Sequence, residues 1–214
     1  MNNNCIKIPL KLDNHLFELT VINNDKQTIN IIAKDWNEYS QLIYDNTPNK
    51  KTIIQAGGNF GLYPLLYSRL FTNVFTFEPD VNNFYCLTNN CNYNNIHPFR
   101  LALSNKNKFL KLEIVNHDNY GMNRISNKGM DVYAITIDSM NIPDVSLIHL
   151  DLEGYEYNAI LGAKKTIKKY KPTVVLELTD KIEEICDFMT TLSYIKIKTF
   201  GDPINGLFVH KDLT

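Results

Sequence analysis

A short β-branched run that leads into three glycines constrains the fold of this chain most strongly. Residues 52–56 (Thr-Ile-Ile-Gln-Ala) precede Gly57-Gly58-Asn59-Phe60-Gly61, and apolar residues 62–66 follow. This order predicts a strand, a tight turn and a helix, the unit that binds nucleotide-like ligands at the carboxyl end of a strand. Because proline is tolerated only in the first turn of a helix, Pro64 indicates that the helix begins near residue 60 or 61.

The spacing of the glycines narrows the class of ligand. A dinucleotide fingerprint G-x-G-x-x-G that starts at Gly57 requires glycine at positions 59 and 62, where this chain has Asn59 and Leu62. The observed spacing therefore disfavours a nicotinamide oxidoreductase. The next predicted strand, residues 74–77, ends at Glu78, and an acid about 20 residues after the first glycine is placed to bind ribose hydroxyls.

The order of these and later motifs resembles the FkbM family of S-adenosylmethionine-dependent methyltransferases from Ile53 to about His210. The segments that carry the resemblance are Gln55-Ala56-Gly57-Gly58-Asn59-Phe60-Gly61, Phe77-Glu78-Pro79, Ala102-Leu103-Ser104, Ile135-Thr136-Ile137-Asp138, Asp151-Leu152-Glu153-Gly154-Tyr155-Glu156, Leu161-Gly162-Ala163 and residues 172–177. Alternating strands and helices predict an α/β fold. The resemblance implies the Rossmann-like seven-stranded class I methyltransferase sheet with helices on both faces and an antiparallel last strand. It also implies S-adenosyl-L-methionine as methyl donor and S-adenosyl-L-homocysteine as product.

The resemblance implies a set of donor-binding residues near the strand ends. They are Gln55, Gly57, Gly58, Asn59, Gly61, Glu78, Pro79, Ala102, Leu103 and Asp151. Glu78 is expected to bind the ribose, and Ala102-Leu103, at the end of a third strand predicted over residues 98–103, is expected to flank adenine. Gln55 departs from many family members, which carry an acid there, and it cannot form a charge–charge contact with the amino group of the donor.

Acidic residues follow the predicted fourth and fifth strands, where an open α/β sheet places its ligands. We predict that Asp151 takes the proton of an acceptor hydroxyl with help from His149 and Glu153, because like charges raise a carboxyl pKa toward neutrality. Glu177 is predicted to bind substrate. The alternatives are structural: a helix cap or helix-dipole role for Asp151 and Glu153, a core position for His149 and a salt bridge for Glu177. No spacing of histidines and acids predicts a metal site.

The first fifty residues precede the resemblance. We predict a division into residues 1–50, an N-terminal extension, and residues 51–214, the S-adenosylmethionine-binding methyltransferase domain. In the extension, residues 6–10 and 16–21 alternate like strands around Asp13-Asn14, and Asp35 with Glu38 resembles a capping box that opens a helix. The extension is interpreted as a cover over one sheet edge or as a lid that helps to enclose the substrate.

A polar insertion precedes the predicted fourth strand. Residues 109–115 and 132–138 are strand-like and predict an inserted β-hairpin, and residues 116–124 between them are rich in hydrogen-bonding groups. We predict that Tyr120 and Arg124 in this segment bind the acceptor. The alternative is a solvated loop.

Composition excludes several classes of partner. The net charge of −1 argues against a nucleic-acid-binding face, and no apolar run is long enough to span a membrane. The four cysteines form no C-x-x-C pair, which favours reduced thiols and a cytoplasmic location. The predicted function is O-methylation of a hydroxyl on a small molecule or glycan, and the alternative is a non-catalytic binding module with the same fold. The oligomeric state is left open.

Overall fold

The structure is a computed structural model of the chain. It describes residues 5–12, 15–23, 27–116, 119–201 and 204–213. The predicted Asp13-Asn14 turn and positions 117 and 118 of the polar insertion lie outside the described residues.

Thirteen strands and seven α-helices form the described part of the chain. The strands are β1 (Cys5–Leu12), β2 (His15–Ile22), β3 (Thr52–Ala56), β4 (Asn73–Phe77), β5 (Ile96–Phe99), β6 (Ala102–Leu103), β7 (Lys108–Glu113), β8 (Arg124–Ser126), β9 (Met130–Ile135), β10 (Val145–Leu150), β11 (Thr173–Glu177), β12 (Tyr194–Phe200) and β13 (Asn205–His210). The helices are α1 (Gln27–Asp45), α2 (Leu62–Tyr67), α3 (Val81–Asn90), α4 (Ile137–Met140), α5 (Glu156–Leu161), α6 (Lys164–Tyr170) and α7 (Ile182–Thr191).

A seven-stranded sheet forms the centre of the molecule, in the order β12-β13-β11-β10-β3-β4-β5. Strand β13 runs antiparallel to both of its neighbours, whereas the pairs from β11 to β5 are parallel. All residues of β3, β10 and β11 are buried, as expected for strands that helices cover on both faces. The predicted α/β fold and its antiparallel last strand are therefore confirmed.

Strand register brings three predicted site segments to one edge of this sheet. Ala56 pairs with Phe77 on one side and with Leu150 on the other. The backbone N–H of Gly57 donates to Phe77 O at 3.2 Å, and that of Asp151 donates to Ala56 O at 3.1 Å. The residues that follow β3, β4 and β10 therefore lie side by side, at the edge where open α/β sheets bind ligands.

The polar insertion belongs to a second sheet, not to a simple hairpin. Strands β6, β9, β7 and β8 form a four-stranded sheet in that order, in which β7 pairs antiparallel with both β8 and β9. The single third strand predicted over residues 98–103 is wrong, because β5 pairs with β4 while β6 pairs with β9. Asp138, predicted to end a strand, lies in α4 and accepts hydrogen bonds from Lys165 N and Thr166 N.

The N-terminal extension packs against helices α2 and α3 beside the central sheet. Strands β1 and β2 pair antiparallel, as predicted, and the Asn90 side chain of α3 bonds both the N–H and the carbonyl of Thr20. Helix α1 begins at Gln27, so the predicted start at Asp35 is wrong. The helix extends upstream because its buried apolar stripe, which includes Ile29 and Trp36, already has helical spacing there.

Two features of the described residues bear on environment. The four cysteines are free thiols, and Cys5 Sγ lies 3.8 Å from Cys86 Sγ. A search of the described helices finds none with the length and apolar character needed to cross a membrane.

Candidate active site

The glycine turn after β3 is close-packed against the neighbouring strand end. Gly57 and Gly61 have φ angles of 82° and 95°, in the left-handed region that favours glycine. A Cβ atom on Gly57 would lie 2.0 Å from Asp151 O, and one on Gly61 would lie 2.6 Å from Cys91 Sγ. The glycines are therefore required by the backbone path itself, and the turn holds Asp151 against the end of β3.

Glu78, at the end of β4, is held by two backbone N–H groups. Its Oε2 accepts from Asn59 N at 2.7 Å and its Oε1 accepts from Asp80 N at 2.8 Å. Burial raises the pKa of this carboxyl to about 8, although the two N–H donors act in the opposite direction. Asp80 in turn caps α3 by accepting from Asn82 N and Asn83 N. The Glu78 carboxylate is thus fixed in place before any ligand arrives.

Gln55 has a structural position. It is fully buried, its Nε2 donates to Gly57 O at 3.0 Å and its Oε1 accepts from Thr76 Oγ1 at 2.6 Å. It does not line the pocket described next. The glutamine fastens the glycine turn to β4, which differs from the donor-binding role predicted from the sequence.

A pocket of about 1140 Å³, which includes its open mouth, lies over this edge of the sheet. Of the residues predicted for the site, it is lined by Gly57, Asn59, Glu78, Pro79, Ala102, Leu103, Tyr120, Asp151 and Glu153. The lining does not include Gln55, Gly58, Gly61, His149, Arg124 or Glu177. The structure therefore brings most predicted donor residues together with Asp151 and Glu153 around one space.

Four acids form a carboxyl cluster at the ends of β10 and β11: Asp151, Glu153, Glu156 and Glu177. Burial raises the pKa of Asp151 well above its usual range, and the charge of Glu177 and a hydrogen bond with it act in the same direction. Burial and the charges of Glu156 and Glu153 raise the pKa of Glu177 to about 8. The cluster therefore holds protons near neutral pH that isolated carboxyls would have lost.

Glu156 supports the loop that carries the cluster. Its Oε1 accepts from Leu152 N at 2.6 Å and from Gly154 N at 3.4 Å, and burial raises its pKa to about 7. Glu153 and Gly154 both have positive φ angles, 52° and 95°. The chain reverses sharply here, and this places Glu153 in the pocket wall while Glu156 stays beneath it.

His149 lies away from the main pocket. Its Nδ1 is 2.9 Å from the hydroxyl of Tyr67, and burial lowers its pKa to about 4. It lines a second, smaller cavity together with Tyr63 and Tyr67. The structure therefore does not bring His149 to the main pocket beside Asp151, and the histidine is neutral at physiological pH.

Several lining residues were not predicted from the sequence. Tyr63, the second residue of α2, lines both cavities, and burial and the charge of Asp151 raise its pKa. Tyr155 also lines the pocket, and its hydroxyl is 3.2 Å from Ser104 Oγ. Their positions in the sequence could have indicated them, because residues just after the glycine turn or just after β10 lie at the sheet edge.

Three asparagines of the lining carry buried side-chain atoms that have no hydrogen-bond partner in the described part of the chain. The atoms are Asn59 Oδ1, Asn83 Oδ1, Asn123 Oδ1 and Asn123 Nδ2. Buried polar groups in native proteins are nearly always paired. Such atoms in a pocket wall indicate a polar ligand. By contrast, no group of three or more His, Cys, Asp or Glu among the described residues has the geometry of a metal site.

The polar insertion contributes Tyr120 to the pocket but not Arg124. Tyr120 opens a short 3₁₀-helix, Tyr120–Met122, and its carbonyl accepts from Asn83 Nδ2 at 3.3 Å. Arg124 is half-exposed and its Nε lies 3.5 Å from Glu113 Oε2. The segment therefore contacts the α3 side of the pocket, next to Glu78.

Solved structures with a similar fold include methyltransferases of several kinds. Methyltransferase FkbM from Methylobacillus flagellatus KT is 17% identical, with a TM-score of 0.56 over 74% of this chain and 43% of that chain. Precorrin-6y C5,15-methyltransferase from Geobacter metallireducens GS-15 is 9% identical, with a TM-score of 0.51 over 81% and 88% of the two chains. A rRNA methylase from Streptococcus thermophilus is also 9% identical, with a TM-score of 0.51 over 84% and 96%.

These identities are low, so the structural likeness shows the fold alone. The chain spans less than half of the length of the Methylobacillus protein. No curated protein matches the sequence. A family model, described as the methyltransferase FkbM domain, matches residues 55–200. Since this match covers well over half of the chain, and since it begins at the glycine turn and includes Glu78 and Asp151, the protein belongs to the methyltransferase FkbM family.

Proposed function

We propose that the protein is an S-adenosylmethionine-dependent methyltransferase that methylates a hydroxyl group of a small molecule or glycan. The observation that carries this proposal is the shared pocket, in which the backbone-held carboxylate of Glu78 and the partly buried acid Asp151 line one space. The first is suited to bind a sugar diol and the second to hold a proton. We expect the reaction in the cytoplasm, where its four free thiols stay reduced.

The polar and apolar groups of the pocket lining complement those of S-adenosylmethionine. Glu78 offers acceptor oxygens to the two ribose hydroxyls, and the unpartnered asparagine atoms offer further hydrogen bonds. Ala102 and Leu103 add apolar surface on the same wall. When bound, S-adenosylmethionine supplies an activated methyl group that an acceptor oxygen takes by in-line displacement.

The chain must then position the acceptor and accept its proton. Asp151 lines the pocket, and burial together with the charge of Glu177, which does not line it, raises the pKa of Asp151. Asp151 can therefore hold the proton of the acceptor at a pH where an isolated carboxyl would have lost it.

The alternative proposal is a non-catalytic binding module with the same fold. It was motivated by Gln55 and His149, which differ from many family members. Neither side chain lines the main pocket: Gln55 fastens the glycine turn, and His149 contacts Tyr67. Both differences therefore lie in the packed layers and leave the pocket intact.

The test is transfer from methyl-labelled S-adenosylmethionine to a panel of hydroxylated small molecules and glycans, with matched deoxy compounds as controls. We expect labelled product from at least one hydroxylated compound and none from its deoxy counterpart. Donor binding without transfer to any compound, including whole-cell extracts, would instead support a binding module. Labelled amine or ring-carbon products would contradict O-methylation.

A further inference from the structure

Asn123 lines the pocket with a side-chain amide to which no ligand has been assigned. It follows the 3₁₀-helix Tyr120–Met122, and both its Oδ1 and its Nδ2 are buried without a partner among the described residues. An amide offers one acceptor and a pair of donor hydrogens within one small plane. Because both atoms are unpartnered, the observation does not depend on which of the two is assigned oxygen and which nitrogen. A single partner that satisfies both atoms would present a donor next to an acceptor.

A chain of hydrogen bonds places Asn123 on the same wall as Glu78. Glu78 accepts from Asp80 N, and Asp80 accepts from Asn83 N at 2.9 Å. Asn83 Nδ2 donates to Tyr120 O, and Asn123 N is 3.5 Å from that same carbonyl. The Oδ1 of Asn83 is also buried and without a partner in the described chain. Two amide side chains therefore lie beside the carboxylate that is proposed to bind the ribose.

The pocket lining also includes a set of apolar side chains. It includes Leu101, Ala102, Leu103, Leu112 and Ile125, contributed by the two ends of the β5–β6 connection and by the second sheet. An apolar slot with one double hydrogen-bonding group matches a flat heteroaromatic ring with a polar edge. A ribose held by Glu78 carries its base within reach of this slot, because the base is attached next to the ribose diol.

We propose that Asn123, with Asn83 as its neighbour, recognises the amino edge of the adenine ring of the donor. One amide atom accepts from the exocyclic amino group while the other donates to the adjacent ring nitrogen, a bidentate pairing that asparagine forms with adenine elsewhere. This inference rests on the proposed function, since adenine is the base of the proposed donor. It also assigns residues 119–123 to the donor, whereas the sequence predicted that this segment binds the acceptor.

The test compares S-adenosylhomocysteine with its 6-deamino analogue, in which a hydrogen replaces the exocyclic amino group, because an amide without a fixed partner could rotate and pair with the oxo and N–H edge of an inosine ring. Calorimetric titration of the wild-type chain should show S-adenosylhomocysteine bound roughly tenfold to a hundredfold more tightly. In Asn123→Ala this preference should fall to near unity, mainly through weaker binding of the adenine compound. Asn127→Ala, an exposed asparagine of the same insertion, should keep the wild-type preference.

Asn123→Asp adds a readout that a merely structural role would not produce. It keeps the size of the side chain but offers only acceptors, so it can still accept from the amino group but repels the adjacent ring nitrogen. It should therefore weaken binding of both compounds while the adenine compound stays the tighter of the two. A preference that survives Asn123→Ala, or a wild-type chain that binds both compounds equally, would overturn the inference alone. Failure of the wild-type chain to bind either compound would overturn the proposed function together with the inference.

Discussion

Two groups of acids lie at the same edge of the central sheet and differ in their surroundings. Glu78, at the end of β4, accepts one backbone N–H on each carboxylate oxygen. In the carboxyl cluster, burial and then the charges of neighbouring acids raise the pKa values of Asp151 and Glu177. Backbone donors prepare Glu78 to bind a neutral diol as a fixed acceptor. Neighbouring carboxyls prepare Asp151 to exchange a proton.

The largest expected effect tests the proton-exchanging region. Asp151→Asn keeps the shape of the side chain but cannot accept a proton, so kcat should fall by roughly 10²–10⁴. The wild-type rate should increase with pH only above the pH range in which an ordinary carboxyl loses its proton, because the pKa of Asp151 is raised. Steady-state kinetics across pH checks both expectations.

Two further variants control this result. Asp144→Asn, at the opposite end of β10 and exposed, should retain the wild-type rate. Glu177→Gln should move the rising limb of the profile to lower pH, since Glu177 contributes to the raised pKa of Asp151. A wild-type rate in Asp151→Asn would mean that transfer proceeds by alignment alone.

The second effect tests the diol-binding region. Above about pH 8 the Glu78 carboxyl is ionised. Glu78→Ala then removes a charged acceptor, and hydrogen bonds to such groups contribute about 1.5–3 kcal/mol each, so S-adenosylhomocysteine should bind at least about tenfold more weakly at that pH. In the wild-type chain, affinity should increase as pH rises through about 8, because the ionised carboxylate accepts the ribose hydroxyls. Glu18→Ala, an exposed acid of β2, is the control. Affinity that is unaffected by Glu78→Ala would remove the ribose assignment.

The third effect is on stability, because the raised pKa values of the carboxyl cluster make the free energy of unfolding depend on pH. The pKa values of Glu156 and Glu177 are raised to about 7 and about 8, above the unfolded value of about 4.3. The folded chain therefore binds more protons than the unfolded chain in this interval. The contribution of these two groups to the free energy of unfolding should be largest below about pH 4.3. It should be lost as the pH rises through their pKa values in the folded chain.

Urea unfolding of Glu177→Gln measures this dependence. The variant carries no charge at any pH, so it should be more stable than the wild type by on the order of 1 kcal/mol above pH 8 and should show a flatter pH dependence. Glu183→Gln, exposed on α7, should follow the wild-type curve. Parallel curves for Glu177→Gln and the wild type would show that Glu177 titrates normally.

The smallest effect concerns Arg124, which the sequence predicted to bind the acceptor. Its ion pair with Glu113 is half-exposed, and such pairs contribute about 0–1 kcal/mol. Arg124→Ala should therefore change unfolding free energy and donor affinity little, and it should raise the pKa of Glu153, which the arginine charge lowers. A loss of donor binding comparable to that of Glu78→Ala would place Arg124 in the donor site.

The predictable parts of the site are those with local causes. The glycine turn, Glu78 and Asp151 follow buried strands, and parallel strands deliver the residues after their ends to one edge. Gln55 was expected at the site from the family resemblance, and His149 because it lies two positions before Asp151 in the same strand. They are register partners inside the sheet, however, and their side chains lie in the packed layers that cover it.

The less predictable parts depend on contacts distant in sequence. Asn123 gains its place from a carbonyl that also binds Asn83, 40 positions earlier in the chain. The polar insertion was recognised, but its strand order, with β9 beside β6, requires a pairing that no local periodicity encodes. The start of α1 was misplaced because Asp35 resembles a cap although the apolar stripe begins upstream.

The most direct test of the division between the two regions is a calorimetric titration of S-adenosylhomocysteine into Glu78→Ala and Asp151→Asn, side by side with the wild-type chain. The division predicts that Asp151→Asn binds within about twofold of the wild type, because it lacks only proton transfer. Above about pH 8, Glu78→Ala should bind at least about tenfold more weakly. Equal weakening in the two variants, or the reverse order, would contradict separate roles for the backbone-held acid and the carboxyl cluster.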